Sequence, residues 1–177
     1  DFPTLPKIKG GENVVVSILD FLNAANSVAF AVSKSDIRPE IASIYIRGSR
    51  EGVIKMAATD SFRLAERSFK SDHAKTFSFL FPGKRFLEFV RILENFTGTA
   101  NCIFDRMQFY AEHPDFSYVT RLTEGTYPDY EQIIPHSFST EATVNRAELA
   151  ENLKLAGIFS GHLKEVRLKI YPSDKLL

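Results

Sequence analysis

With 177 residues, 44% of them hydrophobic and 25% charged, the chain carries enough apolar material for a real core and has the composition of an ordinary globular protein. Its 22 basic and 22 acidic residues cancel, which argues against a protein that grips nucleic acid by clamping phosphates. The single cysteine, Cys102, excludes an internal disulfide and fits a reducing cytoplasm, and no apolar run approaches the roughly 18 residues that a membrane span needs.

Asp1 to Gly11 is rich in proline and glycine without periodicity, and reads as a linker from something that precedes it. Val14-Val15-Val16 reads as a short strand. Ser17 then caps a helix from Ile18 to Phe30, with Asp20 in its first turn and an apolar face of Ile18, Phe21, Leu22, Ala25 and Val28/Ala29. After a polar turn over 33–39, three strands are expected at Ile41 to Ile46, Val53 to Ala58 and Phe62 to Phe69, with Gly48 and Gly52 marking the first reversal. Phe77-Ser78-Phe79 opens the same order again. Pro82-Gly83 stands before a helix from Lys84 to Phe96, whose Phe86, Phe89, Val90 and Leu93 face inward while Lys84, Glu88, Arg91 and Asn95 line the opposite stripe. Cys102 to Phe104, Gln108 to Glu112 and Phe116 to Leu122 complete a second meander, and Glu124 to Pro135 forms a connector. Ala142-Thr143-Val144, a helix from Arg146 to Ile158 and a strand from Val166 to Ile170 begin the order a third time.

The spacing is regular, 63 residues from Val14 to Phe77 and 65 from Phe77 to Ala142. A fixed period of this size marks a repeated supersecondary unit, here β-α-β-β-β, and the fold class is α+β with helices on one side and antiparallel sheets on the other. Residues 1–11 are then a linker, 12–136 a complete two-unit domain and 137–177 the start of another, so the chain reads as an excerpt of a longer protein.

No catalytic constellation is legible. His73, His113, His136 and His162 are scattered through turn-like segments as ordinary surface histidines, none at the helical i, i+4 spacing of a zinc site. Cys102 reads as a buried structural thiol, and neither a phosphate-binding glycine loop nor a G-x-S-x-G elbow occurs. One stretch stands out, Ala57-Ala58-Thr59-Asp60-Ser61-Phe62-Arg63-Leu64-Ala65. Taken by itself it is a β-turn in which Thr59 and Asp60 bond nearby backbone amides and Arg63 pairs with Asp60.

That stretch also resembles the A-T-D-G-H-R-L-A signature of the bacterial DNA polymerase III β subunits, the sliding clamps. Phe30-Ala31-Val32-Ser33 with Asp36-Ile37-Arg38-Pro39 looks like their helix-to-strand loop. Gly125-Thr126-Tyr127-Pro128-Asp129-Tyr130 with Ile133-Ile134-Pro135 resembles their G-x-F-P-D-Y connector, and Val144-Asn145-Arg146 with Leu149 is similar to the opening of their third domain. The resemblance covers nearly the whole chain, as a middle domain plus the start of the third. It departs at Ser61, where the family usually has Gly, and at Phe62, where it usually has His.

The resemblance implies the clamp fold and a non-catalytic processivity factor without cofactor or metal. Two full-length subunits would form a ring around duplex DNA, independent of sequence, and this piece by itself is expected to be a monomer. The DNA-facing residues would be Lys84, Arg85, Arg91 and Arg38. Partners are the polymerase III α subunit, the clamp loader and other proteins bearing a clamp-binding motif. They would dock a short peptide in a hydrophobic pocket whose middle-domain wall is Thr59, Arg63 and Leu64, with Ile41, Pro128 and Ile133 close by. A repeat-built peptide-binding adaptor that never surrounds nucleic acid is the alternative.

Overall fold

The computed structural model describes residues 8, 10–71, 75–161 and 165–170; His73, His162 and most of the expected linker lie outside them. The chain divides into two compact units, with the boundary between Asp129 and Tyr130. The first holds eight strands and two helices in the order β1 (Glu12–Ser17), α1 (Ile18–Val28), β2 (Ser43–Gly48), β3 (Val53–Thr59), β4 (Leu64–Lys70), β5 (Phe77–Pro82), α2 (Gly83–Leu93), β6 (Thr99–Phe104), β7 (Gln108–His113) and β8 (Phe116–Arg121). Among the described residues the second holds a 3-10 turn, Tyr130–Ile133, and α3 (Arg146–Phe159).

The two β-α-β-β-β units do not sit side by side as separate bodies. One sheet has the order β1-β6-β7-β8 and the other β4-β3-β2-β5, so each sheet takes one strand from one unit and three from the other. The exchange is symmetric in register. Glu12, the first residue of β1, opposes Phe104, the last of β6, and Phe77, the first of β5, opposes Gly48, the last of β2. The leading strands and the two helices both begin 65 residues apart, 12 to 77 and 18 to 83, which makes Val14 equivalent to Phe79 and Val16 to Phe81. Thr123 N–H donates to Leu80 O at 2.9 Å, an isolated bridge that fastens the connector after β8 to the open edge of β5.

Helices α1 and α3 start where the sequence says they should, and α2 starts one residue earlier. Ser17 Oγ accepts from the Asp20 amide at 3.3 Å, a side-chain cap that stops β1 and starts α1. Gly83 is itself the first residue of α2, not a residue before it. Its amide donates to Ala42 O at 2.9 Å, and a Cβ there would meet that oxygen at 2.7 Å, so only glycine allows this close approach. Phe86, Phe89, Val90 and Leu93 are buried, as are Phe21, Ala25 and Val28 of α1. The helices touch through Phe21, whose ring lies 5.8 Å from Phe86 and 5.6 Å from Phe89. Beneath them Phe81 of one sheet and Phe109 of the other stand 5.0 Å apart, so a continuous aromatic cluster welds both sheets to both helices. Burying each such ring contributes roughly 1.5–3 kcal/mol.

Several expected bounds move. Ile41 precedes β2, and Phe62 and Arg63 belong to the turn before β4, because these residues spend their backbone bonds on turns. Phe30 falls in a 3-10 turn, Ala29–Ala31, after α1. Residues 142–144 and 166–170 are not strands: alternation supplies a strand face, but no described strand runs alongside to take their backbone bonds. His113 is no surface histidine. Its side chain is 11% exposed, stacked on Phe116 at 5.3 Å and close to Phe96 at 5.4 Å.

Candidate functional site

Strands β3 and β4 pair to their ends, Thr59 opposite Leu64, and the four residues between them form a side-chain-built turn. Thr59 Oγ1 donates to Arg63 O at 2.8 Å and accepts from the Ser61 amide at 3.1 Å. Asp60 Oδ1 accepts from the amides of Phe62 at 3.1 Å and Arg63 at 3.0 Å, and Oδ2 accepts from Arg63 Nε at 2.9 Å. The Phe62 and Arg63 amides, helped by the Arg63 guanidinium, hold the Asp60 carboxyl below the usual range. The Arg63 guanidinium also lies over the Phe30 ring, 5.5 Å from its centroid, a cation–π contact that completes its restraint. Ser61 adopts φ 76°, the left-handed region that glycine occupies without strain.

The connector leads back to this turn. Tyr127 is buried and stacks on Tyr45 of β2 with ring centroids 5.0 Å apart and planes 8° from parallel. Burial pushes its phenol up to about 12, with the Thr59 backbone amide opposing the shift. Pro128 follows directly and is half-buried. Leu64 is half-buried, Arg63 exposed, and Phe62 is 97% exposed. Ile41, by contrast, is buried, its amide donating to Arg38 O at 3.2 Å. Ile133 lies in the second unit, exposed on the 3-10 turn. Five surface cavities of 280 to 750 Å³ on the described residues are lined by residues other than Thr59, Arg63 and Leu64.

On the helix side, Lys84, Arg85 and Arg91 all project from α2 into solvent. Lys84 Nζ meets Asp36 Oδ2 at 2.6 Å, and Arg85 Nη1 meets Glu88 Oε2 at 2.9 Å. Arg38 Nε meets Glu40 Oε1 at 3.1 Å. Arg91 has no carboxylate partner among the described residues. The exposed face of α1 is nearly uncharged, with Leu19, Asn23, Asn26 and Ser27 around Asp20. Spacing of two or three residues could have revealed the Glu40 and Glu88 partners, whereas Asp36 and Phe30 reach their cations through the fold. Cys102 is sealed in the core, and burial pushes its thiol up to about 12. Among the described residues no group of His, Cys, Asp and Glu could hold a metal ion, and no helix is long and apolar enough to cross a membrane.

Residues 16–129 match the family model described as DNA polymerase III beta subunit, central domain. The chain belongs to the DNA polymerase III β-subunit family. The beta sliding clamp of Streptococcus pneumoniae is 25% identical over 174 residues, 98% of this chain and 46% of the relative. That of Bacillus subtilis is 26% identical over 99% of this chain and 47% of its own length. The crystal structure of the Bacillus subtilis DNA polymerase sliding clamp superposes with a TM-score of 0.84 at 26% identity, covering 92% of this chain and 43% of that one. The Thermotoga maritima β subunit gives 0.81 at 26% identity over 89% of this chain and 43% of that one. The chain therefore spans less than half the length of these relatives. Its fold is that of the sliding clamps.

Proposed function

We propose that this chain is the middle domain, residues 12–136, with the entering linker 1–11 and the start of the third domain, 137–177, of a ring-forming processivity factor. The full-length protein dimerises into a ring around duplex DNA in the cytoplasm, catalyses nothing, and tethers the polymerase III α subunit, the clamp loader and other motif-bearing partners. The observation that carries this reading is the side-by-side packing of α1 and α2 through Phe21, Phe86 and Phe89, with both sheets behind them, in a chain of this family. A polar helix face of modest charge suits a surface that passes along phosphates without reading bases. Retention then comes from enclosure, and zero net charge ceases to be an objection.

The Thr59–Leu64 turn serves as one wall of the partner-peptide pocket. Leu64 and Pro128 offer apolar surface to a hydrophobic anchor, while Arg63, held by Asp60 and Phe30, presents a pre-oriented donor. The full-length protein, loaded by its clamp loader, is expected to remain on closed circular DNA and to leave once the circle is cut. Equal retention on both forms, or on neither, would sink the ring and leave the peptide-binding adaptor standing.

A further inference from the structure

Three of the four candidate phosphate-binding cations are already engaged by carboxylates of this same chain. Lys84 with Asp36, Arg85 with Glu88 and Arg38 with Glu40 form pairs at 2.6, 2.9 and 3.1 Å. The first is the informative one. Asp36 stands in the loop after α1, 48 residues before Lys84 in sequence, and reaches the first turn of α2 at a spot where both side chains remain mostly exposed, 77% for Lys84 and 69% for Asp36. Burial does not force this pair together, and Arg85 and Glu88 are likewise open to water, at 60% and 49%.

An incoming phosphate does not meet bare cations here. It must displace the carboxylate or share the cation with it, since lysine and arginine carry further N–H donors, and in either case the carboxylate remains nearby as a like charge. Each contact gains little, and because the nearby carboxylate attracts a cation of its own, fewer counterions are released net than on contact with an unpaired lysine or arginine. Arg91, farther along the same helix and without a carboxylate partner among the described residues, provides the contact that remains.

We propose that Asp36 and Glu88 are positioning residues that limit the grip on duplex DNA, holding Lys84 and Arg85 in ion pairs that a phosphate has to open or share. This rests on the sliding-clamp reading, which it deepens by assigning the looseness of the contact to named carboxylates.

The test measures binding of a short fluorescent DNA duplex by the full-length protein without its loader, across a series of salt concentrations. Asp36→Asn and Glu88→Gln are compared with the unaltered protein. Glu112→Gln on the outward face of β7 removes the same charge away from the helices. Each helix-face variant is expected to steepen the slope of log affinity against log salt by roughly 0.9, one added phosphate contact, and to tighten low-salt binding by up to about fivefold. The Glu112→Gln slope is expected to stay with the parent. Slopes unchanged in both helix-face variants would overturn the proposal, as would equal steepening in Glu112→Gln, which would reduce the effect to net charge. Loss of retention of the parent protein on circular DNA would instead strike the clamp reading, so the two failures are separable.

Discussion

Ser61 is the residue at which the turn carries strain. With φ at 76° it occupies a region that costs an L-residue free energy and costs glycine almost none. Ser61→Gly is expected to raise stability by on the order of 1 kcal/mol in urea denaturation, since the native geometry already suits glycine. A loss of stability would show that the serine side chain holds the turn in a way its backbone bonds do not account for. Leu64, the first residue of β4 and the partner of Thr59 across the turn, offers apolar surface beside it. Leu64→Ala in the full-length protein is expected to weaken a clamp-binding peptide by roughly 1–3 kcal/mol in calorimetric titration. Unchanged affinity in a variant that still folds would remove Leu64 from the pocket. The Asp60 turn was legible in the sequence because all its bonds are local, spanning two to four residues. Phe30 as the seat of Arg63 was not, since that contact exists only once α1 packs near β4.

At the level of elements, local signals read well and partnerships read poorly. The Ser17 cap and the Phe86, Phe89, Val90, Leu93 stripe follow from patterns within one turn of helix or a few turns. That β1 pairs with β6, and β5 with β2, could not be seen, because repetition in sequence says nothing about which copy a strand joins. The same blindness explains residues 142–144 and 166–170, where alternation suggested strands that no described neighbour pairs. The exchange predicts how the halves behave apart. A polypeptide of residues 12–71 leaves β1 and one edge of β2 without partners, so it is expected to show no cooperative unfolding transition in dilute solution. Addition of residues 72–129 should restore one. A sharp, concentration-independent transition in the first piece alone would contradict the interlocked core.

For the molecule as a whole, the aromatic core sets the response to alkali. Cys102 has its thiol raised from 9.0 to about 12 by burial, and the buried Tyr127 phenol moves from 10.0 to about 12 for the same reason. Both folded values lie above the unfolded ones, so the unfolded chain releases protons that the folded chain keeps. Their stabilising contribution is complete below pH 9.0 and is lost as the pH climbs toward about 12. Unfolding free energy should therefore fall by up to about 1.4 kcal/mol per pH unit for each group in its window. Cys102→Ala, though less stable throughout, should show a flatter decline just above pH 9.0; an unchanged slope would mean that the thiol titrates in the folded state. At this scale composition spoke truly but incompletely. The cancelling charges of the sequence reappear as cancelling pairs on the helix face, something no tally of residues could locate.

The crossed leading strands have a mechanical consequence. Six residue pairs stitch β1 to β6 and six more stitch β5 to β2, so prising the two halves apart means tearing both ladders together with the rings packed beneath them. Such a body bears load as a strut. If a ring is built from it, the flexing that admits a duplex must fall at the joints between domains, and stiffening this domain further would leave the rate of opening untouched.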